Sequence, residues 1–166
     1  MTRNRPVYTG TRALIAGSRI TVAGGEPVRL SGAWTAMPEI SPDGKLVACF
    51  YEDESSPSVK IALIPAEGGA PVRLLDVPPT VFLRAGLHWT DGGRALDYVD
   101  NRGGVSNVWS QPVDSGAPKR LTDFTSEKIF RIAWSRDGKR VVFERGTEIN
   151  DATLISDFTG QQARPT

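Results

Sequence analysis

Ile40-Ser-Pro-Asp-Gly-Lys45-Leu-Val-Ala-Cys-Phe-Tyr51 reads as the end of one strand, a tight turn and the whole of the next strand. Proline at the second turn position pre-sets φ, and glycine at the fourth accepts a positive φ, so Ser41 to Gly44 suits a type I turn. The turn joins an inner strand, Pro38 to Ser41, to a second strand, Lys45 to Tyr51. The second strand is apolar on both faces, whereas a strand with one wet face would alternate. It is therefore expected to be clamped between neighbours on both sides. Working outward, the unit returns as Trp89-Thr-Asp-Gly-Gly-Arg94-Ala-Leu-Asp-Tyr98 and as Trp134-Ser-Arg-Asp-Gly-Lys139-Arg-Val-Val-Phe143. In this alignment Asp43, Asp91 and Asp137 correspond, 48 and 46 residues apart, with Thr90 standing for Ser41 and Gly93 inserted.

A second marker keeps the same period: Gly24-Gly-Glu-Pro-Val-Arg-Leu30, Gly68-Gly-Ala-Pro-Val-Arg-Leu74 and Ser115-Gly-Ala-Pro-Lys-Arg-Leu121. Its prolines, Pro27, Pro71 and Pro118, are 44 and 47 residues apart. A period in the mid-forties made of short strands is the mark of a β-propeller blade, a four-stranded sheet of about 40–45 residues. Third strands are expected at Val59 to Ile64, Asn107 to Val113 and Ala152 to Ser156. Outer strands follow at Val72 to Leu75 and Lys119 to Thr122, where proline is admissible because it opens an edge strand. The expected architecture is all-β, an incomplete propeller of about three four-stranded antiparallel blades forming an open arc. Residues 1–17 match the repeat poorly. The repeat region, 18–158, divides into a partial blade at 18–31 and blades at 36–75, 84–122 and 129–158, the last without an outer strand. Residues 159–166 form a tail. Pairing of the strand near 19–30 with the third blade of its own chain is sterically disfavoured in so short an arc.

Ser-Pro-Asp-Gly-Lys before an apolar strand, with Gly-Gly-x-Pro-Val-Arg-Leu some 25 residues on, resembles the repeat of TolB-like propellers, relatives of the WD repeats. Trp134-Ser-Arg-Asp-Gly-Lys139, Val105-Ser-Asn-Val-Trp-Ser-Gln-Pro112 and Pro118-Lys-Arg-Leu-Thr-Asp-Phe124 look closer still to one subset. These are the C-terminal propellers of bacterial multidomain serine/threonine kinases and winged-helix regulators. The resemblance implies a fold and a bacterial, signalling-associated setting, and it leaves function open because propellers host many functions. Neither kinase motifs nor a winged helix occur in these residues, and rings of this kind close with six to eight blades. The chain is thus expected to be part of something larger.

The 20 basic and 19 acidic residues leave a net charge of +1, which gives no electrostatic case for nucleic acid or an anionic membrane. One cysteine, Cys49, excludes an intrachain disulfide. The N-terminus has too brief an apolar stretch for a signal peptide, no window spans a membrane, and the chain is expected to be soluble with its compartment open. Nucleophilic catalysis is not expected, since the single histidine, His88, has no Gly-x-Ser-x-Gly elbow to serve. His88 reads instead as a strand residue facing the channel or a neighbouring blade. Asp97, Asp100 and Asn101 cluster oxygens that suit a hard cation, yet loop and turn chemistry accounts for them more simply. Glu52-Asp-Glu54 reads as a solvated hairpin tip, Trp89 and Trp134 as packing between blades. The candidate partner contacts are Trp109, Asp100, Asn101 and His88.

The expected function is a non-catalytic scaffold for a protein or small ligand, with no cofactor. The alternative is the gating propeller of a prolyl-oligopeptidase-like hydrolase whose catalytic domain lies elsewhere. An open arc also leaves flat blade faces and an unpaired edge, which implies self-association or pairing with missing blades.

Overall fold

The computed structural model describes residues 17–20, 22–53, 56–135 and 137–149. Two four-stranded antiparallel meanders form its centre. The first runs β3 (Trp34–Ile40), β4 (Leu46–Asp53), β5 (Ser56–Pro65) and β6 (Arg73–Asp76) from channel to rim. The second runs β7 (His88–Thr90), β8 (Ala95–Arg102), β9 (Val105–Pro112) and β10 (Lys119–Arg120) in the same order. Before them lies a short hairpin, β1 (Ser18–Arg19) with β2 (Val28–Arg29), and after them the pair β11 (Lys128–Trp134) and β12 (Val141–Gly146). The result is an incomplete β-propeller, open rather than closed. The expected third strand at Ala152 to Ser156 lies outside the described residues, as do residues 1–16.

The inner strand of the first sheet is longer than the sequence reading of Pro38 to Ser41, beginning at Trp34. Its register with β4 shifts between Ala36 and Glu39, and Met37 in that bulge has φ +51°. A bulge leaves one residue unpaired, which admits Pro38 inside the strand rather than at its start.

The turns behave as their chemistry requires, with one correction. In the first, Gly44 N–H donates to the Ser41 carbonyl at 2.8 Å and Gly44 has φ +73°. Ser41 Oγ donates to Asp43 Oδ1 at 2.6 Å, and the N–H groups of Lys45 and Leu46 donate to Asp43 Oδ1 and Ser41 Oγ. Ser135, Asp137, Lys139 and Arg140 repeat the arrangement. The middle turn differs. Pairing places Ile40 opposite Val47, Trp89 opposite Leu96 and Trp134 opposite Val141, a constant spacing with no insertion. Asp91 therefore stands at the position of Pro42, and Gly92 at that of Asp43. Asp91 binds Arg94 instead, closing a short 3-10 turn.

The seam between the two full sheets is the main core. Ala48, Phe50, Ile61 and Leu63 of the first meet Leu87, Trp89, Leu96, Tyr98 and Val113 of the second. At the rim, Arg73 donates to the Val113 carbonyl at 2.8 Å. The far face of the second sheet, through Val99 and Val108, meets Ile129, Ile132, Trp134 and Phe143 of the last pair. On the far face of the first sheet lie Cys49, Ala62 and Ile64, and burial pushes the Cys49 thiol up to about 12. β4 is thus buried on both faces, as its unbroken apolar run requires. Among the described residues, no helix is long and apolar enough to cross a membrane.

Two stability outcomes follow. Tyr98 Oη is buried without a hydrogen-bond partner, so Tyr98→Phe should stabilise by about 1 kcal/mol, whereas Phe50→Ala, emptying the same seam, should cost about 3–5 kcal/mol in urea denaturation. The Ser41 and Ser135 hydroxyls hold Asp43 and Asp137 below the ordinary value of 3.8. A depressed folded pKa gives stability that is present above 3.8 and lost as pH falls through the lower folded value. Replacing both by Asn should flatten that acid limb of a pH–stability curve measured by thermal melting.

Candidate functional site

Three inner strands, one from each consecutive sheet, bring one side chain apiece to the channel side. His88 of β7 sits between them. Its Nδ1 lies 3.1 Å from Glu39 Oε1 on β3. Its ring stacks on the Trp134 indole of β11, with centroids 4.4 Å apart and planes at 19°. Next to His88, Trp89 points into the seam and donates Nε1–H to the Glu39 carbonyl at 3.0 Å. The bulge in β3 ends at Glu39, so that residue's carboxylate and carbonyl both serve the neighbouring sheet.

Behind the ring, directly across the sheet from His88, is Asp97. Burial raises its carboxyl above the ordinary value, opposed by Ser110, Thr90, His88 and Trp134. Thr90 Oγ1 donates to Asp97 Oδ1 at 3.3 Å. In front of the ring opens a cleft of about 490 Å³, lined among others by Glu39, Pro42, Trp89, Asp91 and Asp137. The turns of all three sheets reach it. The cleft is acidic and aromatic, a surface that suits cationic and flat groups through charge and cation–π attraction.

Where the sequence suggested partner contacts, the structure separates them. His88 lies at this channel-side cleft. Asp100 and Asn101 lie one strand further out, on β8, and Trp109 two strands out, on β9. Trp109 faces across the sheet to Tyr98, and the Arg102 guanidinium covers its ring at 4.6 Å. With Asp100, Arg120 and Phe124 these residues line a second cleft of about 240 Å³. Asp100 is 1% exposed, and it accepts from Thr80 Oγ1 and Arg102 Nε, each at 2.5 Å, so its oxygens are taken. Asn101 Oδ1 accepts from Ser106 Oγ at 2.8 Å.

Two sequence expectations are corrected here. Asp97, Asp100 and Asn101 belong to strand β8, not to a loop. Asp97 faces the third sheet and Asp100 the first, because successive strand residues alternate, so their carboxylates do not converge on a cation. Glu39 was missed altogether. The one signal for it was its place beside Pro38, where a bulge re-aims a side chain.

No family model matches the chain. Over 84 residues, 50% of its length, it is 38% identical to an uncharacterized protein of Agrobacterium fabrum, of which it covers 27%. A solved structure of a provisionally assigned TolB from Agrobacterium tumefaciens matches with a TM-score of 0.58 at 29% identity, over 76% of this chain and 45% of that one. The chain spans less than half the length of either. Its fold is a TolB-like propeller.

The His88–Trp134 stack joins the second and third sheets, and stacked aromatic pairs contribute about 0.5–1.5 kcal/mol beyond area burial. A double-mutant cycle of His88→Ala and Trp134→Ala, measured by urea denaturation, should return a coupling in that range. Strict additivity would leave the stack without energetic weight.

Proposed function

We propose that the chain is a non-catalytic binding scaffold whose channel-side cleft, walled by Glu39, His88 and the turns of the three sheets, receives a basic segment of a partner protein. The observation that carries the reading is the single open cleft that Glu39 and His88, from the inner strands of the first two sheets, share with the turn residues Asp91 and Asp137. Binding sites favour such concave junctions between repeated units. Glu39, Asp91 and Asp137 supply negative charge, and the His88 ring, backed by the Trp134 indole, supplies a flat surface. His88 has Glu39 as an orienting partner, the geometry of a general base, but among the described residues its ring has no nucleophile in hydrogen-bond reach. That favours recognition over turnover.

The short match to each relative supports reading the chain as one portion of a longer propeller protein. In the setting that the repeat resemblance implies, that protein is a sensor whose propeller stands behind a kinase or a winged-helix domain. The upstream reading frame tests this directly.

The binding reading is tested by NMR titration with short basic, neutral and acidic peptides. Basic peptides should shift the His88 ring and Trp134 indole resonances, and Glu39→Gln should weaken binding about five- to tenfold, the loss of one charged contact. Binding unchanged in Glu39→Gln and Trp134→Ala, or shifts confined to Trp109, would place the site elsewhere. Ester or peptide turnover abolished by His88→Ala would make the protein an enzyme.

A further inference from the structure

We propose that two copies of this chain close one ring head to tail, the β1–β2 hairpin of each supplying the two rim-side strands that the β11–β12 sheet of the other lacks among the described residues. The inference goes beyond the channel-side binding above and does not depend on it. It takes these 166 residues as the folding unit. It is the alternative to the longer-protein reading, under which the rest of the same protein would supply the missing strands.

The two incomplete sheets are complementary halves of one blade. In the complete sheets, four strands run from channel to rim. By register, β11–β12 is the channel half: Trp134 opposite Val141 repeats Ile40 opposite Val47 and Trp89 opposite Leu96. The β1–β2 hairpin is the rim half: Arg19 opposite Val28, just after Pro27, repeats Ser110 opposite Lys119, just after Pro118. Among the described residues, β12 pairs only with β11 and β1 only with β2, so each half presents the edge that the other needs. The second sheet carries Asp97, Ser110 and Lys119 in one cross-strand row. The composite blade would carry Val142, then Arg19 and Val28 of the second copy, in the same row.

Packing between blades points the same way. At the first seam Ala48 and Trp89 share one cluster, and at the second Asp97 interacts with Trp134. The next pair in this series is Val142 with the residue equivalent to Trp134 on the following blade. In a second copy that residue is Ile40. Both are unsatisfied in the single chain, Val142 at 71% and Ile40 at 61% exposure. Ala133, opposite Val142 in the register, shares its open face. Exposed apolar faces beside an unpaired edge are what association removes.

The geometry also closes. Among the described residues each copy holds two complete sheets and two halves, so two copies make four complete and two composite blades, a ring of six with two-fold symmetry. One chain covers 45% of the provisional TolB structure, and two copies approach one such length.

Sedimentation equilibrium at tens of micromolar should give about twice the 18.0 kDa chain mass. Chains carrying Arg19→Cys, mixed with chains carrying Val142→Cys and treated with a short bis-maleimide, should cross-link into one heterodimer. Neither variant should cross-link alone, and Cys49, at 2% exposure, should stay silent as in the unsubstituted chain. If loss of the Arg19–Glu67 ion pair disturbs the hairpin, Ser18→Cys replaces Arg19→Cys. A monomer overturns the proposal. So does a Val142→Cys chain that cross-links to itself, meaning open faces packed together. A double variant cross-linked within one chain overturns it too, as does a dimer lacking the heterologous cross-link, the result if residues 152–156 fill the edge in their own chain.

Discussion

A propeller blade cannot bury both its faces by itself, and this constraint governs the molecule. Phe50 and Ile61 from the first sheet and Leu96 and Tyr98 from the second lie in one cluster, each essentially without exposed surface. That seam fixes the angle between the sheets. The angle in turn sets where Glu39 and His88 stand, because their strands are the innermost of each sheet and share no backbone pairing. Trp89 serves both requirements, with its ring in the seam and its N–H on the Glu39 carbonyl. Loosening the seam would therefore move the cleft before it unfolded the sheets.

The architecture was legible because it rests on local and periodic signals. Two markers at one period reveal the blade, and an apolar run such as Leu46 to Tyr51 reveals a strand covered on both faces. The failures came where position depends on partners distant in sequence. The letters Asp91-Gly92 match the other turns, but pairing of Trp89 with Leu96 overrides the match and places Asp91 one position earlier. Asp97 and Asp100 look like turn residues by propensity. Strand β8 keeps them because Thr90 and Ser110 serve the first, and Thr80 and Arg102 the second.

The candidate site was the least legible part. His88 was visible as the single histidine, and Trp134 as a repeat-register aromatic. Their contact with each other and with Glu39 is a product of how three sheets fan around a channel. Glu39 and His88 are 49 residues apart, about one blade, and no local pattern links them. Trp109, by contrast, was picked for its aromatic character, and its ring proves to be covered by Arg102.

Cys49 gives the architecture one more property. Its thiol is buried in the far face of the first sheet and stays protonated far above neutral pH. A thiolate is the reactive form, so the folded chain offers thiol reagents almost nothing. Modification then proceeds only through molecules whose first sheet has come open. The protein carries, in its single cysteine, an internal clock that counts those openings while leaving the channel untouched.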